Sequence, residues 1–557
     1  MAAEPSRRPD AADRFDAIVI GSGFGGSVTA CRLAQRGRRV LLLERGQPWP
    51  AGSFPRTPRQ TARAFWAPRA GEHGLYDVRS FSRLRAVVSS GLGGGSLIYA
   101  NVMLRKDPAT FVDHEHERWP LHYDDLVEGY ERVEAMAGAT PYPFEHEPYA
   151  STPKTRAMLD AARAIGLSGE LPPLAIAFAP DAGATPWPGV GLADSGSVHG
   201  HGTRSTCRLC GECVIGCQFG AKNTLDYTYL RTARDAGATI RTCCEAVELH
   251  RDDDGWVVTY RQHLAARAGH PEHLLDPVPR SPRHVGAPQV VLAAGTLGST
   301  ALLLRNRASL PGLSPMLGRR FSANGDLLMF VRGADRRLDP SHGPTITASI
   351  RARDRASPSG RGFFLQDAGA PAASEWLWHG LDVPGDAWRL RSALWRRLGR
   401  RVRGRSQPQL GALLAAGLGS GRSSSAMLPL LGMGRDIPDG RLTLRGDSLD
   451  LSWREVPSRA FFEGLEDGGR RVGRALGGRA HRPLGRLARL VTVHPLGGCP
   501  MGATAVDGVV DPWGAVHGAP GLWVADGSVM PGPVGANPSL TIAALAERSA
   551  DAIAPPP

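Results

Sequence analysis

Two kinds of hydrophobic spacing organise the chain. Unbroken apolar runs stand at Ala17-Ile-Val-Ile20, Arg39-Val-Leu-Leu-Leu43 and Gln289-Val-Val-Leu-Ala-Ala-Gly295. Such runs suit parallel strands covered on both faces. A helix is expected from about Ser27 to Gln35, stopped by Gly37, and another from about Gly298 to Arg305. Elsewhere the runs read as strands of antiparallel sheet. Residues 238–249 and Trp256–Tyr260 flank a hairpin at Asp252-Asp-Asp-Gly255, and shorter strands are expected around Thr345–Arg351 and Gly362–Gln366. Helical stretches are expected after Trp119-Pro120 through Glu134, from the cysteine-rich 207–217 segment to about Ala236, and from Ser539 onward. Residues 50–90 read as irregular and 139–204 as loop-rich, with no internal repeat. The pattern is α/β, and 557 residues exceed one ordinary hydrophobic core.

The first apolar run opens a phosphate-binding pattern. Ile20 is followed by Gly21-Ser-Gly23-Phe-Gly-Gly26, a helix, a second strand and then Glu44. In this pattern Gly21 permits the tight turn, Gly23 lets the backbone approach a pyrophosphate, and Gly26 lets helix and strand pack closely. The helix N-terminus favours the phosphates. An acid about 20 residues beyond the glycines is placed to accept from ribose hydroxyls, so Glu44 favours FAD or NAD over NADP. A second glycine run, Ser89-Ser-Gly-Leu-Gly-Gly-Gly-Ser96-Leu-Ile-Tyr-Ala-Asn101, offers another close backbone approach.

Composition narrows the class without fixing it. Hydrophobic residues make up 42% and charged residues 21%, values ordinary for a globular chain. The net charge of +13 is carried by arginine and fits either a GC-rich coding sequence or attraction to an anionic surface. Aromatics are not interleaved with basic residues, so a nucleic-acid partner is not expected. No apolar region precedes the first strand, Arg7-Arg8 precede no hydrophobic stretch, and no run reaches membrane-spanning length. The expected location is the cytoplasm or the cytoplasmic face of a membrane.

The C-terminal part carries the chemistry. His494-Pro-Leu-Gly-Gly498, Asp526-Gly527 and Asn537-Pro538 lie far from the fingerprint in sequence. An imidazole titrates near neutral pH and can take a hydroxyl proton, whereas an amide such as Asn537 can only hydrogen-bond an oxygen or steady developing charge.

Taken in order, Gly21–Gly26, Glu44, Gly91–Asn101, Trp119-Pro120, Ala293-Ala-Gly295, His494–Gly498, Asp526-Gly527 and Asn537-Pro538 resemble the glucose–methanol–choline (GMC) oxidoreductases, and within them the cholesterol oxidase-like branch. The resemblance implies a discontinuous Rossmann-like FAD-binding domain at 14–110, 205–330 and 488–555. It also implies a substrate domain of antiparallel sheet and helices at 111–204 and 331–487. It implies that Gly21, Ser22, Gly23 and Gly26 hold the FAD pyrophosphate and that Glu44 holds the ribose. Val247 would meet adenine through its backbone, and Gly93, Gly94, Ser96 and Asn101 would line the flavin. Gly295, Asp526 and Gly527 would border the cofactor. His494 and Asn537 would face the reactive side of the ring as the catalytic pair. No His lies in 91–101, where some relatives attach flavin covalently, so non-covalent FAD is expected. The activity implied is oxidation of a CH–OH group, of a 3-hydroxysterol or another bulky lipid alcohol, with O2 or an electron carrier as acceptor. Some relatives also isomerise their product with a Glu; here the middle strand reads Phe363-Phe-Leu-Gln366-Asp367, and a Gln cannot serve as that base. A non-redox lyase on the same fold is a further alternative.

Two segments fall outside this scheme. Cys207, Cys210, Cys213 and Cys217 form C-x2-C-x2-C-x3-C, the spacing of a ferredoxin iron–sulfur run without its trailing proline. They read as an iron–sulfur cluster passing electrons outward in a dehydrogenase, as a structural zinc site, or as ordinary cysteines. Cys31, Cys243, Cys244 and Cys499 read as buried apolar residues. Residues 388–405 carry eight arginines, with Trp388, Leu394, Trp395, Leu398 and Val402 near one helical face. That composition suits peripheral contact with an anionic bilayer, or a solvated surface helix.

Overall fold

Strand Ala17–Ile20 is buried at every position and sits in the middle of a five-stranded parallel sheet. The computed structural model describes residues 9–555 apart from 58–59, 61–63, 112–115, 267–274, 278–281, 358, 370–425 and 484–488. The basic segment 388–405 therefore lies outside the described residues. Across the sheet the order is Thr239–Arg241, Val40–Leu43, Ala17–Ile20, Gln289–Leu292 and Leu522–Val524. Every pairing in it is parallel. The fold is α/β, Rossmann-like, and built from pieces far apart in the chain.

Helix Phe24–Gln35 covers this sheet and begins three residues earlier than its sequence pattern suggests, directly after Gly23. Outside it lies helix Ser539–Ile553. Arg32 clamps the two, donating from Nε and an Nη to the two carboxylate oxygens of Glu547 at 2.7 and 2.8 Å. Tyr229 donates its hydroxyl to the same buried carboxylate at 2.7 Å. A bidentate charge-assisted pair of this kind fixes orientation as well as distance.

The 238–249 run is two strands rather than one. Thr239–Arg241 joins the parallel sheet, and Cys244–Asp252 joins an antiparallel sheet with Gly255–Gln262 and Pro282–Ala287. Cys243, at φ 57°, makes the break, since a left-handed residue cannot continue a strand. The hairpin at Asp253-Asp254 forms as expected.

A second sheet has six strands, all antiparallel. Their order is Arg479–His481, Leu327–Arg332, Leu428–Gly434, Phe363–Asp367, Ser349–Ala352 and Ser168–Glu170. Helix Arg459–Ala475 packs on it, together with helix Pro153–Ala164. The latter lies inside the stretch expected to be loop. Its sequence carried the signal: Thr152 at the cap, Pro153 in the first turn, and Ala157, Met158, Ala161 and Ala162 on the buried face.

Between that helix and the sheet lies a fully buried ion pair. Lys154 Nζ stands 2.7 Å from Asp367 Oδ2 and also donates to the Pro344 and Thr345 carbonyls. Asp367 in turn accepts from the Thr347 and Ala348 amides and the Thr347 hydroxyl. With every lone pair and proton used, removing one partner would strand a charge. Lys154→Met should lower unfolding stability by about 3–5 kcal/mol, read as a shift of the urea midpoint.

Candidate active site

The C-terminal ends of the parallel strands gather the glycine segments. Gly21 leaves its strand at φ 105°, donating its N–H to the Leu43 carbonyl at 2.8 Å. Ser22 ties three of the implied residues together. Its hydroxyl donates to Glu44 Oε2 at 2.6 Å and accepts from the Gly93 amide at 3.0 Å. Glu44 also accepts from the Ser22 and Gly46 amides. Gly94 packs so close to Gly23 that a Cβ on it would lie 2.6 Å from the Gly23 Cα. Ser96 donates to the Gly93 carbonyl and accepts from the Leu225 amide. The fingerprint and the second glycine run thus form one concave backbone surface.

On the other side, Gly295 donates its N–H to Asp526 Oδ2 at 2.9 Å. Ser299 donates to the same oxygen, and the Ser528 amide to the other. Burial pushes the Asp526 carboxyl above the usual carboxylate range, opposed by these donors. The Gly527 carbonyl accepts from the Gly497 amide at 2.9 Å, which joins this corner to the histidine loop. Val247 is the extra residue of a β-bulge between Ala246 and Glu248, so its backbone groups stand outside the ladder.

A dinucleotide fits these residues on two observations. Both polar atoms of the Asn101 side chain are fully buried and find no partner among the described residues, an expensive state that a bound polar ligand would relieve. Cβ atoms built at Gly23 and Gly295 would meet nothing within 4 Å, so the space beside them is not filled by protein.

His494 follows the short strand Leu490–Thr492. Its Nδ1 lies 2.8 Å from Asp326 Oδ1, and Asp326 is almost fully buried. The other Asp326 oxygen accepts from the Thr492 hydroxyl at 2.8 Å and from the amides of Val493 and His494 at 2.9 and 3.2 Å. A carboxylate surrounded by donors is held as an acceptor, so Nδ1 carries the proton it shares with Asp326. Asn537 stands across a reciprocal amide pair: its Oδ1 accepts from Gln366 Nε2 at 2.8 Å and its Nδ2 donates to Gln366 Oε1 at 3.3 Å.

One turn positions both loops. Ser322 pairs with Leu496 through two backbone hydrogen bonds of 3.0 Å. Asn324, at φ 53°, accepts at Oδ1 from the Val534 and Gly535 amides and donates from Nδ2 to the Ala536 carbonyl. Two residues on, Asp326 holds the histidine. Beneath the turn, Asp436 accepts from the Ser322 hydroxyl and the Ala323 amide, and burial pushes its carboxyl up to about 7. Sequence reading misses Asn324 and Asp326. The available signal was the polar cluster Ser322-Ala-Asn-Gly-Asp326 just before the strand Leu327–Arg332.

The Cys207–Cys217 segment lies beside this region, and all eight cysteines are free thiols. Cys31, Cys243, Cys244 and Cys499 are buried as expected. Among the described residues, no three Cys, His, Asp or Glu side chains form a group that could hold a metal ion, so neither the zinc nor the iron–sulfur reading finds support. Nor is any described helix long and apolar enough to cross a membrane.

Comparison with known proteins agrees with the geometry. Residues 200–322 and 480–546 match the two GMC oxidoreductase family models, and residues 19–67 match an NAD(P)-binding Rossmann-like domain. The chain is 31% identical to a cholesterol oxidase of Mycobacterium tuberculosis, covering 96% of this chain and 90% of that one. It is 27% identical to a cholesterol oxidase of Acinetobacter baumannii over 96% and 93%. Among solved structures, pyridoxine 4-oxidase from Mesorbium loti shares the fold, with a TM-score of 0.57 at 19% identity, covering 96% of this chain and 98% of that one. A fold assembled around a two-run glycine cradle, with a relative of this identity along nearly its whole length, places the chain in the GMC oxidoreductase family. It is an FAD-dependent oxidoreductase acting on CH–OH donors.

Gly23 and Gly25, on either side of Phe24, differ in what a Cβ would meet. Gly25 abuts Ala525, where a Cβ would lie 1.3 Å from the carbonyl oxygen, so Gly25→Ala should prevent folding. At Gly23 a Cβ meets no protein atom. Gly23→Ala should leave the far-UV spectrum unchanged while weakening FAD retention roughly ten- to hundred-fold, measured as FAD released per chain, the loss of one charged hydrogen bond.

Proposed function

We propose that this enzyme oxidises the secondary hydroxyl of a bulky lipid alcohol, with a 3-hydroxysterol as the first substrate to test, and that His494 is its base. The observation that carries the proposal is the Asp326–His494 pair, in which a buried carboxylate engages Nδ1 and leaves Nε2 as the ring nitrogen not engaged by Asp326. The cholesterol oxidase relatives support the substrate class. FAD, when bound, supplies the hydride acceptor. Gly21, Ser22, Gly23, Gly26, Glu44, Gly93, Gly94, Ser96, Asn101, Val247, Gly295, Asp526 and Gly527 would hold it, without a covalent link.

In this reading His494 Nε2 takes the hydroxyl proton as the C–H bond breaks. The resulting imidazolium is stabilised by the Asp326 carboxylate at Nδ1. Asn537, oriented by Gln366, hydrogen-bonds the substrate oxygen with its remaining amide N–H. The cofactor would lie on segments 14–110, 205–330 and 488–555, and the alcohol on 111–204 and 331–487. O2 or a separate carrier would then accept the electrons. Neither Gln366 nor Asp367 can serve as a second base on the middle strand, since one is an amide and the other is locked to Lys154. Product isomerisation is therefore not part of the proposed activity.

An anaerobic spectrum with a 3β-hydroxysterol tests the substrate: the flavin bands should bleach, and persistence would remove sterols. His494→Ala should slow that bleaching about 10²–10⁴-fold with FAD still bound. Asp326→Asn should also slow it, with an altered pH profile for kcat/KM, because an amide can hold Nδ1 unprotonated and thereby block Nε2 as the acceptor. An unchanged rate in the His494 variant would refute the base assignment. Oxidised sterol should accumulate as the unconjugated ketone, detected by its lack of enone absorbance.

A further inference from the structure

We infer that Asp436 is a positioning residue for the Asp326–His494 pair, holding the turn that carries Asp326 and setting a second carboxylate against it. Asp436 follows strand Leu428–Gly434 and is fully buried. The turn it meets, Ser322–Asp326, needs an anchor from outside. Asn324 and Gly325 are both left-handed, at φ 53° and 64°. A non-glycine residue in that region is costly and persists only where its surroundings enforce it.

Asp436 supplies that constraint through both oxygens. One accepts from the Ser322 hydroxyl and the other from the Ala323 amide at 2.9 Å. The Ser322 hydroxyl oxygen accepts in turn from the Asn324 amide at 2.9 Å. The strand leading to Asp436 adds the Gly434 amide, which donates to the Asn324 carbonyl at 3.0 Å. Within the turn, the Ala323 carbonyl accepts from the Asp326 amide at 3.2 Å and from the Thr492 hydroxyl at 3.1 Å. Ala323 is thus held at its N–H by Asp436 and at its carbonyl by Asp326 and the histidine loop. A displacement of Asp436 would reach the base through two hydrogen bonds and one peptide unit.

The same placement couples two buried charges. The Asp326 carboxylate acts on Asp436 as a like charge, and Arg361 opposes it, with an Nη 3.4 Å from the Asp436 carbonyl. Arg361 is itself paired with Glu117, and the neighbouring Arg435 with Asp354 at 2.7 Å. Burial is the largest influence and pushes the Asp436 carboxyl up to about 7, against the pull of its two donors. Asp436 is therefore neutral well below that pH and charged well above it. Coupling between two titrating sites is reciprocal. A charge on Asp436 favours a proton on the Asp326–His494 pair, and loss of that charge disfavours it. The kinetic consequence rests on His494 being the base, whereas the effect on the imidazole does not.

The test follows the ring directly, by carbon-13 NMR of histidine-labelled, FAD-loaded protein titrated with pH, the His494 signal being assigned from its loss in His494→Gln. In Asp436→Asn that signal should titrate at lower pH than in the wild type, by roughly 0.5–1 unit, with FAD retained. Ser322→Ala keeps the carboxylate but removes a donor that favours its charged form, and should move the midpoint the same way by less. A midpoint that stays in place, as the loss of a purely structural anchor would leave it, overturns the inference, and so does a shift to higher pH. Where Asp436→Asn fails to fold, the Ser322→Ala titration decides. The acidic limb of kcat/KM for a 3β-hydroxysterol should follow the NMR midpoint downward. If the ring responds as expected while His494→Ala leaves flavin bleaching unchanged, the base assignment falls and the coupling stands.

Discussion

A single buried carboxylate governs the catalytic end of this molecule. Asp326 accepts one hydroxyl, two amides and one imidazole N–H. Such a group is costly to bury unless every lone pair is used, and here the donors come almost entirely from Thr492, Val493 and His494. The cost of stranding that charge therefore enforces the conformation of the histidine loop. The same turn fixes the second loop through Asn324, which closes three hydrogen bonds with residues 534–536. The His494 loop and the 534–536 loop are thus both referenced to one short piece of backbone.

The cofactor side follows a different logic, in which backbone replaces side chain. Ser22 joins Glu44 to Gly93, and Gly94 closes against Gly23. The two glycine runs, distant in sequence, thereby come together, with open space beside Gly23 and Gly95. The unsatisfied Asn101 amide marks where that surface expects a polar ligand. The Gly497–Gly527 hydrogen bond then ties the Asp526–Gly527 corner to the histidine loop.

Much of this was legible in the sequence because the signals were local. The fingerprint, the parallel strands, the hairpin at 252–255 and the final helix each rest on short-range patterns, and their positions agree with the fold to within a few residues. What was not legible depended on tertiary contacts. Thr239–Arg241 and Cys244–Asp252 looked continuous because nothing in the apolar run betrays the left-handed Cys243. Nothing in the strand Phe363–Asp367 announces that Asp367 is held by Lys154, more than two hundred residues away. Asn324 and Asp326 carried no motif, since their importance lies in partners found only after folding.

The close fit of Gly25 against Ala525 has a consequence for how the protein is made. The fingerprint helix is translated well before the partners that flank and clamp it, the Leu522–Val524 strand region and Glu547. At roughly 5–20 residues per second, the nascent first strand and helix wait on the order of tens of seconds for their partners. Over that interval an apolar strand has an open edge, the condition under which nascent chains aggregate. The enzyme's dependence on partners made so much later is thus a demand on the cell's chaperones as well as on its own geometry.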